Sequence, residues 1–279
     1  MYLRRKVFTD SIMRDKISLL LLFVIFASTA YSQEKTTSYA IGIEQIENGE
    51  YTKAIETLSS ASSKAQGKEL EKILASLAYA QMMCGDTGSA LENYSKVLKT
   101  SKENTPVLLQ RAAVYMQLGR TDDAIEDYNS IIAKDPRNTD ALIMRAQAFL
   151  IKGETDKAKK EFVKIIEFTP GNTNAKLGLA MLYQKEKMYD KATAMIDLII
   201  EEEPSNASLY IARSNLLREQ GFYELALMDV EKAITLEPSN ADYYTLQSIL
   251  YEKSGKRDAA AKSRRKAEHI RLQKQPHKQ

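Results

Sequence analysis

Three arginines, Arg111, Arg145 and Arg213, each stand sixteen residues before a carboxylate, at Asp127, Glu161 and Asp229. A guanidinium is a planar fork of N–H donors that a carboxylate can accept two at a time. A partly buried arginine needs such a partner, because an unpaired one is costly. The pattern therefore points to paired charges that hold elements together, not to proton transfer. Groups of the catalytic kind are sparse. His269 and His277 lie near the C-terminus, far from any acid and nucleophile set. Cys84 is the single cysteine, so there is no internal disulfide, and it is expected to be an unreactive, partly exposed thiol. Glu201, Glu202 and Glu203 form an acidic run that reads as solvated surface. No His/Cys cluster has metal spacing, and no glycine-rich loop follows a strand. The expectation is a chain with no enzymatic activity, no cofactor and no metal.

The elements that must position these pairs are helices. From Thr105 to Asn138 the chain holds two helical patterns separated by Gly119. Leu108, Ala112 and Tyr115 share one face of the first; Ala124, Ile125, Tyr128, Ile131 and Ile132 share one face of the second. Thr105 is expected to cap the first helix, with Pro106 just inside it, and Thr121 to cap the second. Asp122 and Asp123 suit the positive end of that second helix. Gly119 supplies the turn and Pro136 the stop. One such helix pair cannot bury its apolar faces alone.

The pattern recurs every 34 residues, over 71–104, 105–138, 139–172, 173–206, 207–240 and 241–272, with a further unit at 35–68. Position 20 of each unit is alanine throughout: Ala54, Ala90, Ala124, Ala158, Ala192, Ala226 and Ala260. Position 8 is always small, and position 15 is glycine except for Lys187. Small residues at 8 and 20 let two helices approach closely, while larger ones at 11, 24 and 28 fill around them. In this frame the arginines occupy position 7 and the carboxylates position 23 of the same units.

The period and its small-residue ladder resemble the tetratricopeptide repeat (TPR) family, over about 240 of the 279 residues, in the form found in exported bacterial proteins. The usual tryptophan at position 4 is absent, and Leu74, Leu108, Leu142 and Tyr210 stand in its place. The resemblance implies an all-α fold: a right-handed TPR superhelix, or α-solenoid, of about seven helix-turn-helix units. It also implies a concave groove, lined by positions 2, 5, 9 and 12 of the first helix of each unit, that binds a peptide or helix segment of a protein partner. Here that lining would include Tyr39, Ile43, Tyr79, Met82, Leu109, Met116, Ile143, Gln147, Leu177, Met181, Ile211 and Asn215. An apolar strip of this kind marks a binding surface, and its methionines suit varied partners. The alternative is that these side chains are partly buried between neighbouring helices. The carboxylate clamp of chaperone-binding TPR domains is missing: Leu109 and Ile143 stand where its first lysine belongs, and Ala113 and Gln147 where its first asparagine belongs.

The ends differ from the repeats. Basic residues precede an apolar run from Ile17 to Ala27, and small residues follow. Residues 1–32 read as a secretory signal peptide cleaved after Ala30 or Ser32, and the alternative is an uncleaved anchor. Met13 is expected to be the true start. With no cysteine near the cleavage site, lipid anchoring is not expected, and the protein would be periplasmic or secreted. The stretch from Ser59 to Leu70 reads as polar and flexible, and Asp258 to Gln273 as a polar helix closing the array. Residues 273–279 form a basic tail that could touch an anionic membrane surface weakly. The net charge of +3 gives no argument for nucleic acid. The expected function is a non-enzymatic protein-binding scaffold of the cell envelope. The rival is a self-associating structural subunit, or an accessory component of an envelope assembly or secretion complex.

Overall fold

The computed structural model describes residues 38–273. The expected leader, 1–32, and residues 274–279 of the tail lie outside them. Among the described residues there are fourteen helices and no strand, so the chain is an all-α solenoid of helix-turn-helix units. It divides after Pro136 into two compact units. The first holds α1 (Ser38–Glu47), α2 (Tyr51–Ser62), α3 (Gly67–Met83), α4 (Thr87–Thr100), α5 (Thr105–Gln117) and α6 (Thr121–Lys134). The second holds α7 (Thr139–Ile151), α8 (Thr155–Phe168), α9 (Thr173–Lys185), α10 (Tyr189–Glu202), α11 (Ala207–Glu219), α12 (Tyr223–Leu236), α13 (Ala241–Lys253) and α14 (Arg257–Gln273). Odd-numbered helices are the first, or A, helix of each repeat, and even-numbered helices the second, or B.

Several boundaries differ from the sequence reading. The cap of α5 is Asn104, not Thr105: its side chain accepts from the Val107 backbone N–H. Asn138, Asn172, Asn206 and Asn240 do the same for α7, α9, α11 and α13. Position 34 is thus a repeated asparagine cap, and threonine at position 1 is already inside the helix. Thr121 is likewise helical, and Arg120 before it makes no side-chain cap bond. The stretch expected to be flexible is mostly helix, since α2 runs to Ser62 and α3 begins at Gly67, four residues before the expected unit start at 71.

The turn between A and B helices needs a left-handed residue. The glycines at position 15 of the other repeats have φ between +72° and +85°. Lys187 holds the same turn at φ +59°, where its Cβ is strained.

The core follows the small-residue ladder. Ala112 and Ala124, at positions 8 and 20 of one repeat, are fully buried. Where position 8 is Ser214, its hydroxyl donates to the carbonyl of Ala226 at position 20, 2.9 Å away. Position 24 fills the next layer: Leu58, Tyr94, Tyr128, Phe162, Ile196 and Val230 are all buried. Two glycines mark where this layer is tightest. A Cβ on Gly42 would lie 2.5 Å from Leu58, and one on Gly178 would lie 2.6 Å from the ring of Phe162 in the preceding repeat. Among the described residues several buried polar atoms lack a hydrogen-bond partner, the Tyr94 hydroxyl among them. Tyr94 is fully buried. Burial, with the nearby Tyr79 hydroxyl, pushes its pKa up.

Three substitutions test the backbone and the core. Lys187→Gly should stabilise the chain by about 1 kcal/mol by relieving the left-handed turn, whereas Gly178→Ala should destabilise it by about 1–3 kcal/mol through overpacking on Phe162. Urea denaturation midpoints moving in opposite directions would show both effects. Tyr94→Phe should stabilise the chain by about 1 kcal/mol at neutral pH, because it removes a buried unpaired hydroxyl. A phenol whose pKa is raised in the folded state contributes stability below its unfolded pKa, about 10, and loses it as pH rises through that value. Alkaline unfolding should therefore begin above about pH 10 and shift upward in the Tyr94→Phe chain; circular dichroism against pH would report it.

Candidate functional site

Each of the three arginines projects from an A helix onto the carboxylate of its own B helix. Arg111 on α5 donates to Asp127 on α6 through Nε (2.9 Å) and Nη2 (2.5 Å), and Arg213 on α11 holds Asp229 on α12 in the same way, at 2.9 and 2.6 Å. Arg145 donates through Nη2 to Glu161 at 2.6 Å. The third corner of the fork reaches further. Arg111 Nη1 donates to Ser95 and Arg213 Nη1 to Asp197, each on the B helix of the preceding repeat. One guanidinium therefore ties three helices. The carboxylate of Asp229, foremost, holds the Arg213 guanidinium above its ordinary pKa, and Asp127 does so for Arg111. Cation–π packing of Arg111 and Arg120 on the Tyr115 ring adds to the cluster on α5.

The same interface carries polar pairs that sequence reasoning missed. Gln247 and Ser263, at positions 7 and 23 of the last repeat, are hydrogen-bonded at 2.7 Å. Asn93 at position 23 turns instead to Gln81, and both are buried. Lys176 occupies position 4 of its repeat; it is buried and donates to Glu202 at 2.8 Å. Glu203 accepts from Thr173 and Asn206. The acidic run is therefore not merely solvated surface: two of its three members close the ends of α9 and α11. A lysine in place of an aromatic at position 4, with a glutamate run at the end of the B helix of the same repeat, was the available signal.

The strip of A-helix residues expected to line a groove divides by depth. Tyr79 and Ile143 are buried, at 6% and 3% exposure, and belong to the core, not to an open face. In the first unit the ring of Tyr79 packs edge-on against Tyr51, and its hydroxyl is pushed up to about 12 by that burial. Tyr39, Ile43 and Met82 are half-buried around the same core cluster. Leu109 and Met116 are half-buried too. In the second unit Gln147, Leu177, Ile211 and Asn215 are half-buried, and Met181 is 56% exposed. Ile249, which stands at position 9 like Met181 and Asn215 and was not expected as a lining residue, is 38% exposed. Positions 5 and 9 lie one turn apart on each A helix and so share a face.

Among the described residues no three His, Cys, Asp or Glu side chains gather where they could hold a metal ion. The displaced titrations belong to ion pairs, caps and buried tyrosines. Glu71 is typical: its carboxyl is lowered by hydrogen bonds from the hydroxyls of Thr100 and Ser101. Cys84 is an exposed free thiol beside the turn glycine. No described helix is long and apolar enough to cross a membrane.

The tetratricopeptide repeat family model matches residues 82–147 and 149–216. A crystal structure of a tetratricopeptide repeat protein from Parabacteroides merdae superposes with a TM-score of 0.60 at 28% identity, over 84% of this chain and 93% of that one. MamA from Desulfovibrio magneticus shares the fold, with a TM-score of 0.55 at 15% identity over 62% of this chain and 97% of its own. No curated protein matches the chain. The chain belongs to the tetratricopeptide repeat family. That family is typically non-enzymatic, and its fold serves as a protein–protein interaction scaffold.

The clamp makes an ordered prediction. Asp127→Ala should destabilise the chain by about 3 kcal/mol, because it leaves Arg111 with only the Ser95 hydroxyl. Asp229→Ala should cost less, because Asp197 still holds Arg213. Equal losses in a urea titration would show that the contact to the preceding repeat contributes nothing.

Proposed function

We propose that this chain is a non-enzymatic scaffold of the cell envelope that takes a peptide or helix segment of a partner protein along a concave face of its A helices. The observation that carries the reading is the exposure of Met181 and Ile249, at 56% and 38%, on the face where Leu177, Ile211 and Asn215 are half-buried. Polar or charged residues would serve better there if the face met only water. A half-buried apolar floor with exposed methionine and isoleucine above it suits helix-in-groove recognition, and methionine adapts its shape to varied side chains. The buried state of Tyr79 and Ile143 narrows the contact surface to the remaining lining residues. In the first unit these are Ile43, Met82, Leu109 and Met116. The envelope assignment rests on the leader read from residues 1–32, and weak contact of the basic C-terminal tail with anionic lipid fits that setting.

Affinity capture from an envelope extract tests the groove. The bait is the wild-type chain beside the double variant Met181→Asp, Ile249→Asp, which changes exposed positions and should keep the same circular dichroism. We expect at least one protein to be retained by the wild type and lost by the variant. Identical captures from both baits would refute a groove on this face. Intact mass of the chain recovered from the producing cell checks the leader: the expected N-terminus is Tyr31 or Gln33.

A further inference from the structure

We propose that copies of this chain associate head to tail, the outer face of α14 in one copy receiving the outer face of α1 in the next. The packing between consecutive repeats supplies the register. Position 25 of a B helix meets position 7 of the following A helix, as Ser95 meets Arg111 and Asp197 meets Arg213. It also reaches position 11, as Glu231 meets Tyr251. Position 21 meets position 14, as Lys159 meets Glu186 at 2.6 Å. Position 24 packs over position 6, as Phe162 packs over Gly178.

Both ends of the array leave half of this interface open. Where position 7 is leucine inside the array, at Leu77 and Leu179, it is 4% exposed; at the first repeat the equivalent Ile41 is 38% exposed. Position 24 is buried in every earlier repeat, whereas Arg264 in the last is exposed. The two open faces differ in charge. α1 carries Glu44 and Glu47 and no cation. α14 carries six arginines and lysines against Asp258 and Glu268. Arg264 is held by Glu252 and Arg271 by Asp242; of the other four cations, Arg265 stands at position 25, which meets the next A helix in the internal repeats.

In the register of the internal repeats, Arg265 at position 25 falls against Ile41, with its aliphatic stem on the isoleucine and its guanidinium toward Glu44 one turn along. An arginine at position 25 could not receive another arginine at position 7, so the last repeat is matched to the isoleucine of the first and mismatched to the clamp units. Such contacts are heterologous, so they build open chains unless the rotation between copies closes a ring. They are also electrostatic and weaken with salt.

Sedimentation velocity on the purified full chain, in low salt and in 0.5 M salt, tests the proposal with Arg265→Glu, Glu44→Lys and an equimolar mixture of the two. The wild type should gain mass continuously with concentration in low salt and lose this in high salt. Each variant alone should associate about tenfold more weakly. The mixture should regain wild-type association, since every junction then pairs unlike charges. Both residues are exposed, and unchanged circular dichroism would show that the variants fold. A wild type that stays monomeric, a saturating dimer indifferent to either variant, or a mixture that fails to recover would each overturn the proposal. Met181 and Ile249 lie on neither end, so the groove test stands or fails independently.

Discussion

The structure depends on how closely two helices of one repeat can approach. Each A helix and each B helix carries an apolar stripe too small to be stable alone. Alanine, serine or glycine at position 8 against alanine at position 20 brings the backbones together, and the larger residues at position 24 then close over the contact. Gly42 and Gly178 show how little tolerance remains, since a single methyl at either would collide with Leu58 or Phe162. Everything else is arranged around this contact: the left-handed turn that reverses the chain, the asparagine that caps the next A helix in five repeats, and the proline that follows four of the B helices.

Close packing leaves few places for polar groups, and the arginine clamp is a solution for one of them. A guanidinium at position 7 sits where two repeats meet and finds three acceptors on two B helices. Its value is in specifying register as much as in stability, because a buried pair recovers little beyond its desolvation. A one-residue slip would strand the charge. Where position 7 is leucine no clamp is needed, and where it is glutamine a hydroxyl at position 23 suffices. Tyr94 is one place where this matching fails, with a buried hydroxyl and no acceptor. Lys176 is the place where it succeeds against expectation, reaching Glu202 from a core position.

The division of the A-helix strip into core and surface follows from local depth. Tyr79 and Ile143 occupy lining positions of the repeat, yet they are covered, while Met181 and Ile249 at equivalent positions are open. The repeat register assigns a direction to each side chain. The depth depends on what the neighbouring repeat places beside it, and that varies from unit to unit because these repeats are not identical.

The sequence by itself determined the helical period, the unit length, the small-residue ladder and the partners of Arg111, Arg145 and Arg213. All of these are periodic, and a periodic signal can be read without coordinates. It also held the asparagine at position 34, but a threonine one residue later looked equally capable, and only backbone geometry separates a residue that caps a helix from one already inside it. The tertiary structure alone decided which lining residues are buried, that Lys176 is neutralised by Glu202, and that the clamps of Arg111 and Arg213 reach back to the preceding repeat. Those facts join residues 26 positions apart or on different repeats, and their distances are fixed by how layers of unequal side chains stack, which no single stretch of chain encodes.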